Sequence, residues 1–178
     1  MIECARLLGE SGETFERTVQ FALFNAEEQG LVGSFEHVDR RMDADDPVEV
    51  AFILDPVGYN PGDLLFFTHD DESAGFADDL LDFAAGLDLF IDVNGVHESL
   101  IGGDARADHY PFWNAGWPAL HLGSFPQPTP YHTADAPTAS LHSPSHAPLT
   151  PLVSSPCRPQ PAPHAPPLPL AAVVGLAV

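Results

Sequence analysis

The stretch T-V-Q-F-A-L-F-N-A-E-E-Q-G-L-V-G-S, residues 18–34, is the part of the chain that decides its fold. Its apolar run, 19–24, predicts a buried strand, and the glycine-bounded loop that follows carries Glu27 and Glu28. Residues leaving a strand point to opposite sides, so one carboxylate can hold a metal while the other faces a bound water. The alternative is an acidic helix start, because the helix dipole favours Glu in a first turn and 31–41 could be helical.

Three further segments place chemistry-bearing residues at the ends of predicted elements. Asp55 ends a second apolar run that starts at Val48, Asp108 and His109 precede Y-P-F, and His132 lies in Y-H-T-A-D. Carboxylates and an imidazole are ligands that zinc accepts. The series therefore predicts a metal set at strand ends.

Alternating helix and strand patterns run through the first part of the chain. This alternation predicts an α/β fold, a three-layer sandwich with a mostly parallel central sheet. The near-continuous apolar runs 18–24 and 48–54 suit strands covered on both faces, and ligand sites in such sheets form outside the carboxyl ends of strands. The predicted helices are 2–9, 33–41, 75–85 and 110–115, and the predicted strands or extended runs are 18–24, 48–54, 64–68, 88–93 and 118–122.

The order and spacing of five strings resemble the two-zinc aminopeptidases of peptidase clan MH, whose relatives include glutamate carboxypeptidase, glutaminyl cyclase and the transferrin-receptor ectodomain. The resemblance covers about residues 1–136 and only part of the family's domain, so the sandwich is expected to be incomplete. The strings are T-V-Q-F-A-L-F-N-A-E-E-Q-G-L-V-G-S (18–34), I-L-D-P-V-G-Y (53–59), A-D-H-Y-P-F (107–112), G-W-P-A-L (116–120) and Y-H-T-A-D (131–135).

The resemblance implies a zinc exopeptidase that removes N-terminal residues from a peptide substrate, with a carboxypeptidase as a related alternative. It makes Glu27 the general base and Glu28 and His132 ligands of one zinc, while Asp55 binds a second zinc. A carboxylate near a zinc-bound water accepts its proton in this chemistry. The residues implied to bind substrate or shape the site are Asp108, His109, Tyr110, Phe112 and Tyr131.

The chain departs from the family pattern upstream of the glutamate pair. The family has a histidine in an H-x-D string and an aspartate that bridges both zincs, and residues 1–20 contain neither residue type. Each zinc is then left short of the three protein ligands usual at catalytic centres. We therefore expect weak or no zinc binding by this chain alone. The competing hypothesis is a non-catalytic fragment or an interaction domain of the same fold.

The charge of the chain is strongly acidic. It has no lysine, and 26 acidic residues against six arginines give a formal net charge of −20. This balance opposes binding to nucleic acid and docking on an anionic membrane. Because salt relieves self-repulsion, the charge also predicts a salt-adapted, halophile-type surface.

The composition changes at the end of the first 136 residues. All the acids lie at or before Asp135, whereas eleven of the 19 prolines fall in 137–178. Repeated proline excludes helices and interior strands, so 137–178 is predicted to be a disordered, Pro-rich tail beside a partial catalytic domain, 1–136. Translation out of frame and an evolved linker are the two explanations for this change.

No targeting or membrane segment is evident in the sequence. The apolar end, 168–178, is shorter than the roughly 20 residues that span a bilayer, so we expect an exposed, sticky end. The first residues lack a basic region followed by an apolar core, as a signal peptide would have. A cytoplasmic location and, for a longer parent, a secreted one both stay open. The two cysteines, Cys4 and Cys157, give no disulfide framework.

Overall fold

A computed structural model of the chain describes residues 1–15, 17–57, 65–86, 96–98, 106–124 and 171–177. Within these ranges helices and strands alternate except at two places where one strand follows another, in keeping with the α/β class that the sequence predicts. The predicted strand 88–93 lies outside the described residues. The elements are α1 (Ile2–Glu10), β1 (Thr18–Phe24), α2 (Val32–Asp43), β2 (Val48–Leu54), β3 (Leu65–His69), α3 (Ala74–Gly86), β4 (Val96–Glu98), α4 (Tyr110–Asn114), β5 (Ala119–Ser124) and β6 (Ala171–Ala177).

The strands form one sheet in the order β1-β6-β2-β5-β3-β4. Neighbours from β1 through β6 and β2 to β5 run parallel, whereas β3 is antiparallel to β5 and parallel to β4. The sheet is therefore mixed. The α/β class is confirmed, and the incomplete three-layer sandwich with a mostly parallel central sheet stays a prediction.

The β2 strand is the centre of the core. Its V-E-V-A-F-I-L sequence is buried at every residue except Glu49, which is partly buried. Because side chains alternate along a strand, Phe52 packs in one cluster with Leu80 of α3, and Ile53 packs in another with Phe112 of α4. The prediction that this strand is covered on both faces is confirmed.

The corresponding prediction for β1 is confirmed only in part, although Phe21 packs against one core cluster and Ala22 against the other. Phe24 is the buried residue of this strand, and the Leu23 side chain is 60% exposed. The reason is topological: β1 stands at one end of the described sheet, next to β6, whereas β2 lies between two strands. A hydrophobic run therefore does not by itself distinguish an end strand from a central one.

The C-terminal strand β6 corrects part of the predicted tail. Residues 171–177, expected to lie in a disordered segment with a sticky end, pair with β1 on one side and with β2 on the other. The last proline is Pro169, so every residue of this strand keeps the backbone N–H that an interior strand needs. The domain boundary itself stays a prediction. Among the described residues, no helix is long and apolar enough to cross a membrane.

Candidate active site

The loop between β1 and α2 holds the two glutamates away from the helix. The backbone N–H groups of Gly30 and Leu31 both donate to the Glu27 carbonyl, at 2.9 and 2.8 Å, and close a tight turn. Leu31 and Ala26 adopt left-handed conformations, with φ of 59° and 60°, which non-glycine residues rarely do. Helix α2 begins at Val32 and has no acid in its first turn, so the alternative of an acidic helix start is wrong.

Gly33 lets the helix start approach this loop. Its N–H donates to the Asn25 carbonyl at 3.0 Å, and a Cβ built on Gly33 would stand 2.5 Å from that same oxygen. No side chain fits at such a distance without moving the backbone. The second glycine of Q-G-L-V-G-S is therefore needed for close approach, and it fixes the loop that carries the glutamates.

Glu27 lies in an electrostatic environment that favours its protonated form. Partial burial, followed by the negative charges of Asp55, Glu28 and Asp108, raises the pKa of the Glu27 carboxyl from 4.5 to about 7. Carboxylates from three separate segments therefore act on the Glu27 carboxyl. Glu28 is exposed, whereas Glu27 and Asp55 are half-buried.

Asp55 follows β2 and is held by the adjacent strand. Its N–H donates to the Leu122 carbonyl at 2.9 Å, which extends the β2–β5 ladder by one residue. Its own carbonyl contacts His121 Nε2 at 2.5 Å. The backbone of the proposed ligand is thus fixed from both directions by β5.

Asp108 and His109 are fully buried between α2, α4 and β5. Ser34, in the first turn of α2, donates its hydroxyl to Asp108 Oδ1 at 2.5 Å, and burial raises the pKa of the Asp108 carboxyl. The His109 ring stacks on His121 with centroids 4.7 Å apart and planes 4° apart. The site-shaping role that the resemblance implies for these two residues stays a prediction.

His121 is the residue that the sequence did not single out. It lies in the apolar run A-L-H-L of the predicted strand 118–122. In the structure it is nearly fully buried, and it joins His109 on one side to Asp55 on the other. Its only signal in the sequence is a polar residue inside a run that otherwise predicts a covered strand.

The aromatic residues of α4 are mainly structural. Phe112 is fully buried in the core cluster beside β2, so its side chain supports the site from beneath. Trp113 donates its indole N–H to the Ala119 carbonyl at 2.9 Å. Tyr110 is half-buried and meets Phe35 edge to face at 6.3 Å.

The proposed zinc ligands are only partly described. His132 and Tyr131 lie outside the described residues. Glu28 and Asp55 are the two proposed ligands that the described part contains, and no group of three or more His, Cys, Asp or Glu side chains able to hold a metal occurs within it. A catalytic zinc takes three protein ligands, so these described residues do not fit the metal by themselves.

The chain belongs to peptidase family M28, whose family model matches residues 1–149. This match confirms the resemblance to the two-zinc aminopeptidases of clan MH. The matched region ends at residue 149, beyond the 136 residues that the resemblance covers. Peptidases of this family are generally zinc-dependent.

Two crystal structures of LapA from Legionella pneumophila have the same fold. One aligns with a TM-score of 0.68 at 22% identity, over 86% of this chain and 43% of LapA. The other, whose title calls the protein LapA aminopeptidase, aligns with a TM-score of 0.65 at 20% identity, over 86% and 41%. The chain thus spans less than half the length of these structural relatives.

Proposed function

We propose that this chain carries the general base and part of the ligand set of a zinc-dependent aminopeptidase, and that Glu27 is the base. The single observation that supports this most is the pKa of Glu27, raised to about 7 by burial and three neighbouring carboxylates. A general base works best when its pKa lies near the pH of the reaction. Family membership supports a peptide as the substrate.

In this proposal Glu27 moves a proton twice. Its carboxylate accepts a proton from the water that attacks the scissile carbonyl, and its carboxylic acid then delivers that proton to the departing amine. Glu28 and His132 would bind one zinc and Asp55 the other. The described residues by themselves do not fit a zinc site.

The alternative proposal is a non-catalytic domain of the same fold. Its support is specific: the described part brings together carboxylates but no set of three metal ligands. Residues 1–20, which precede the glutamate loop, contain no histidine or aspartate that could add to them.

Zinc content and turnover distinguish the two proposals. The full chain is loaded with zinc in high salt, dialysed, analysed for metal, and assayed on an aminoacyl-anilide. Glu27→Gln should lower the turnover rate by a factor of about 10² to 10⁴ and leave the zinc content unchanged. Glu13→Gln, which removes an exposed carboxylate before β1, is the matched control.

The aminopeptidase proposal requires bound zinc and turnover that depends on Glu27. A chain that binds no zinc and hydrolyses nothing, while its circular dichroism shows a folded α/β protein, supports the non-catalytic alternative. Turnover that survives Glu27→Gln contradicts the role given to Glu27.

A further inference from the structure

Strand β6 is an interior strand supplied from far along the chain. It pairs with β1 over its full length, from Thr18 opposite Ala171 to Phe24 opposite Ala177. It also pairs with β2, ending with Leu54 opposite Leu176. Without β6, the facing edges of β1 and β2 would have unpaired backbone groups in the middle of the sheet. Such edges are a template for pairing with another strand.

The connection to β6 is long. Strand β5 ends at Ser124 and β6 begins at Ala171, so 46 residues, 125–170, join them. Fully extended, a connection of this length spans about 150 Å. A folded domain of this size has a radius of gyration of only about 14 Å. The connection is therefore long enough to reach the same slot in a neighbouring copy.

The sequence of β6 makes this strand prone to pair with other strands when it is released from the sheet. The residues A-A-V-V-G-L-A contain no charge and no proline. Short segments of this composition are prone to pair with other strands when exposed. A released β6 therefore has a strong tendency to insert into any open slot that matches it, and the slot of an identical chain matches it residue for residue.

We propose that β6 exchanges between two copies of this chain, so that residues 171–177 of each copy fill the slot between β1 and β2 of the other. The occupant of the slot is thus a second copy of the chain, in a strand-exchanged dimer. The ladders of the dimer repeat those of the monomer, so exchange neither adds nor removes a pair.

The balance between monomer and dimer follows from concentration and charge. A linked strand competes at an effective concentration on the order of millimolar, so the dimer forms when the protein folds at high concentration. It then persists on dilution, because separation must open both ladders. Since each copy has a formal net charge of −20, molar salt should raise the dimer fraction by screening their repulsion.

The exchange also bears on the candidate site. The strands that β6 separates, β1 and β2, lead at their carboxyl ends to the glutamate loop and to Asp55. In the dimer the strand that lies between these two strands comes from the partner copy. The proposal does not rest on catalysis or on zinc.

Cysteine pairs in register test the proposal. In a Cys4→Ala, Cys157→Ala background, one variant carries Leu23→Cys on β1 and another carries Leu176→Cys on β6, the residue opposite it. The two full-length variants are unfolded together, refolded at high concentration in molar KCl, and treated with a short thiol crosslinker. A third variant carries both cysteines and is refolded in dilute solution.

A matched pair of proline substitutions tests the role of the strand. Val174→Pro removes a ladder N–H in the middle of β6, and Ala162→Pro adds a proline to the connection, where proline already flanks the site. We expect Val174→Pro to abolish the dimer and Ala162→Pro to leave it unchanged. Size-exclusion chromatography with light scattering measures both.

The expected result is a covalent dimer in the mixture of single-cysteine chains and an internal crosslink in the dilute double variant. Three results overturn the proposal. One is an internal crosslink in the double variant together with no dimer in the mixture, and another is no crosslink in either. The third is a dimer that survives Val174→Pro, because its interface would not depend on β6.

Discussion

Replacing Glu27 by Gln should make the metal-free protein more stable at high pH relative to the unchanged chain. The pKa of Glu27 is about 7 in the folded protein against an ordinary value of 4.5. A raised pKa means that the folded state keeps a proton that the unfolded state releases. The stability that this provides is complete below pH 4.5 and is lost as the pH rises through about 7. Glutamine cannot ionise and does not show this loss.

The size of the effect follows from the shift. One pKa unit corresponds to about 1.4 kcal/mol, so the whole shift sets an upper limit of about 3 kcal/mol. Glu27 is only half-buried, and solvent screens its repulsion from the neighbouring carboxylates. We therefore expect a difference of about 1 kcal/mol in the free energy of unfolding.

Urea unfolding with a chelator present, from about pH 5 to about pH 8.5, measures this difference. The chelator matters because a bound cation would favour the ionised carboxylate and oppose the effect. Glu13→Gln, an exposed glutamate before β1, controls for the change in net charge. The advantage of Glu27→Gln over the unchanged chain should grow with pH. Parallel pH profiles for the two chains would refute the electrostatic argument, and with it the main support for Glu27 as the base.

Three further predictions concern the scaffold and the surface. Ser34→Ala removes the hydroxyl that donates to buried Asp108 and should cost about 1–3 kcal/mol in urea unfolding, since a buried carboxyl loses its donor; a cost near zero would contradict a role for this bond. Gly33→Ala places a Cβ against the Asn25 backbone and should destabilise by more than about 1 kcal/mol, whereas Gly9→Ala in α1, where nothing lies within 4 Å, should be neutral or stabilise by up to about 1 kcal/mol; equal effects at both glycines would contradict the close approach. If the acidic surface is a salt adaptation, the melting temperature should rise steeply between low salt and about 1 M KCl, where the Debye length is about 3 Å; a flat melting profile removes that hypothesis.

Local sequence patterns predicted the elements around the site well. Apolar runs bounded by polar residues or proline gave β1 and β2 with their observed limits, 18–24 and 48–54. Because functional loops follow the carboxyl ends of parallel strands, the strand limits also located Glu27, Glu28 and Asp55. These predictions needed no knowledge of which strands are neighbours.

The features that the sequence did not predict depend on contacts between distant residues. The pairing of β6 with β1 joins residues more than 140 positions apart, and no local pattern encodes such a partner. His121 became part of the site only when β5 was placed beside β2. The left-handed conformations of Ala26 and Leu31 were equally hidden, since neither is a residue that usually marks such a turn.

The position of β6 links the sheet to the charge environment of the candidate base. Neighbouring strands lie about 4.8 Å apart, so β1 and β2, with one strand between them, are separated by about 10 Å. At that spacing there is room for the side chains of the glutamate loop, after β1, and of Asp55, after β2, to extend toward each other. The second cause of the raised Glu27 pKa is Asp55, from the far side of β6. Direct pairing of β1 with β2 would halve the spacing and increase the repulsion between the acids, whereas separation of the strands would relieve it. One inserted strand thus sets the separation of the two loops, and the charge of Asp55 adds to the burial that raises the pKa of Glu27 to about 7.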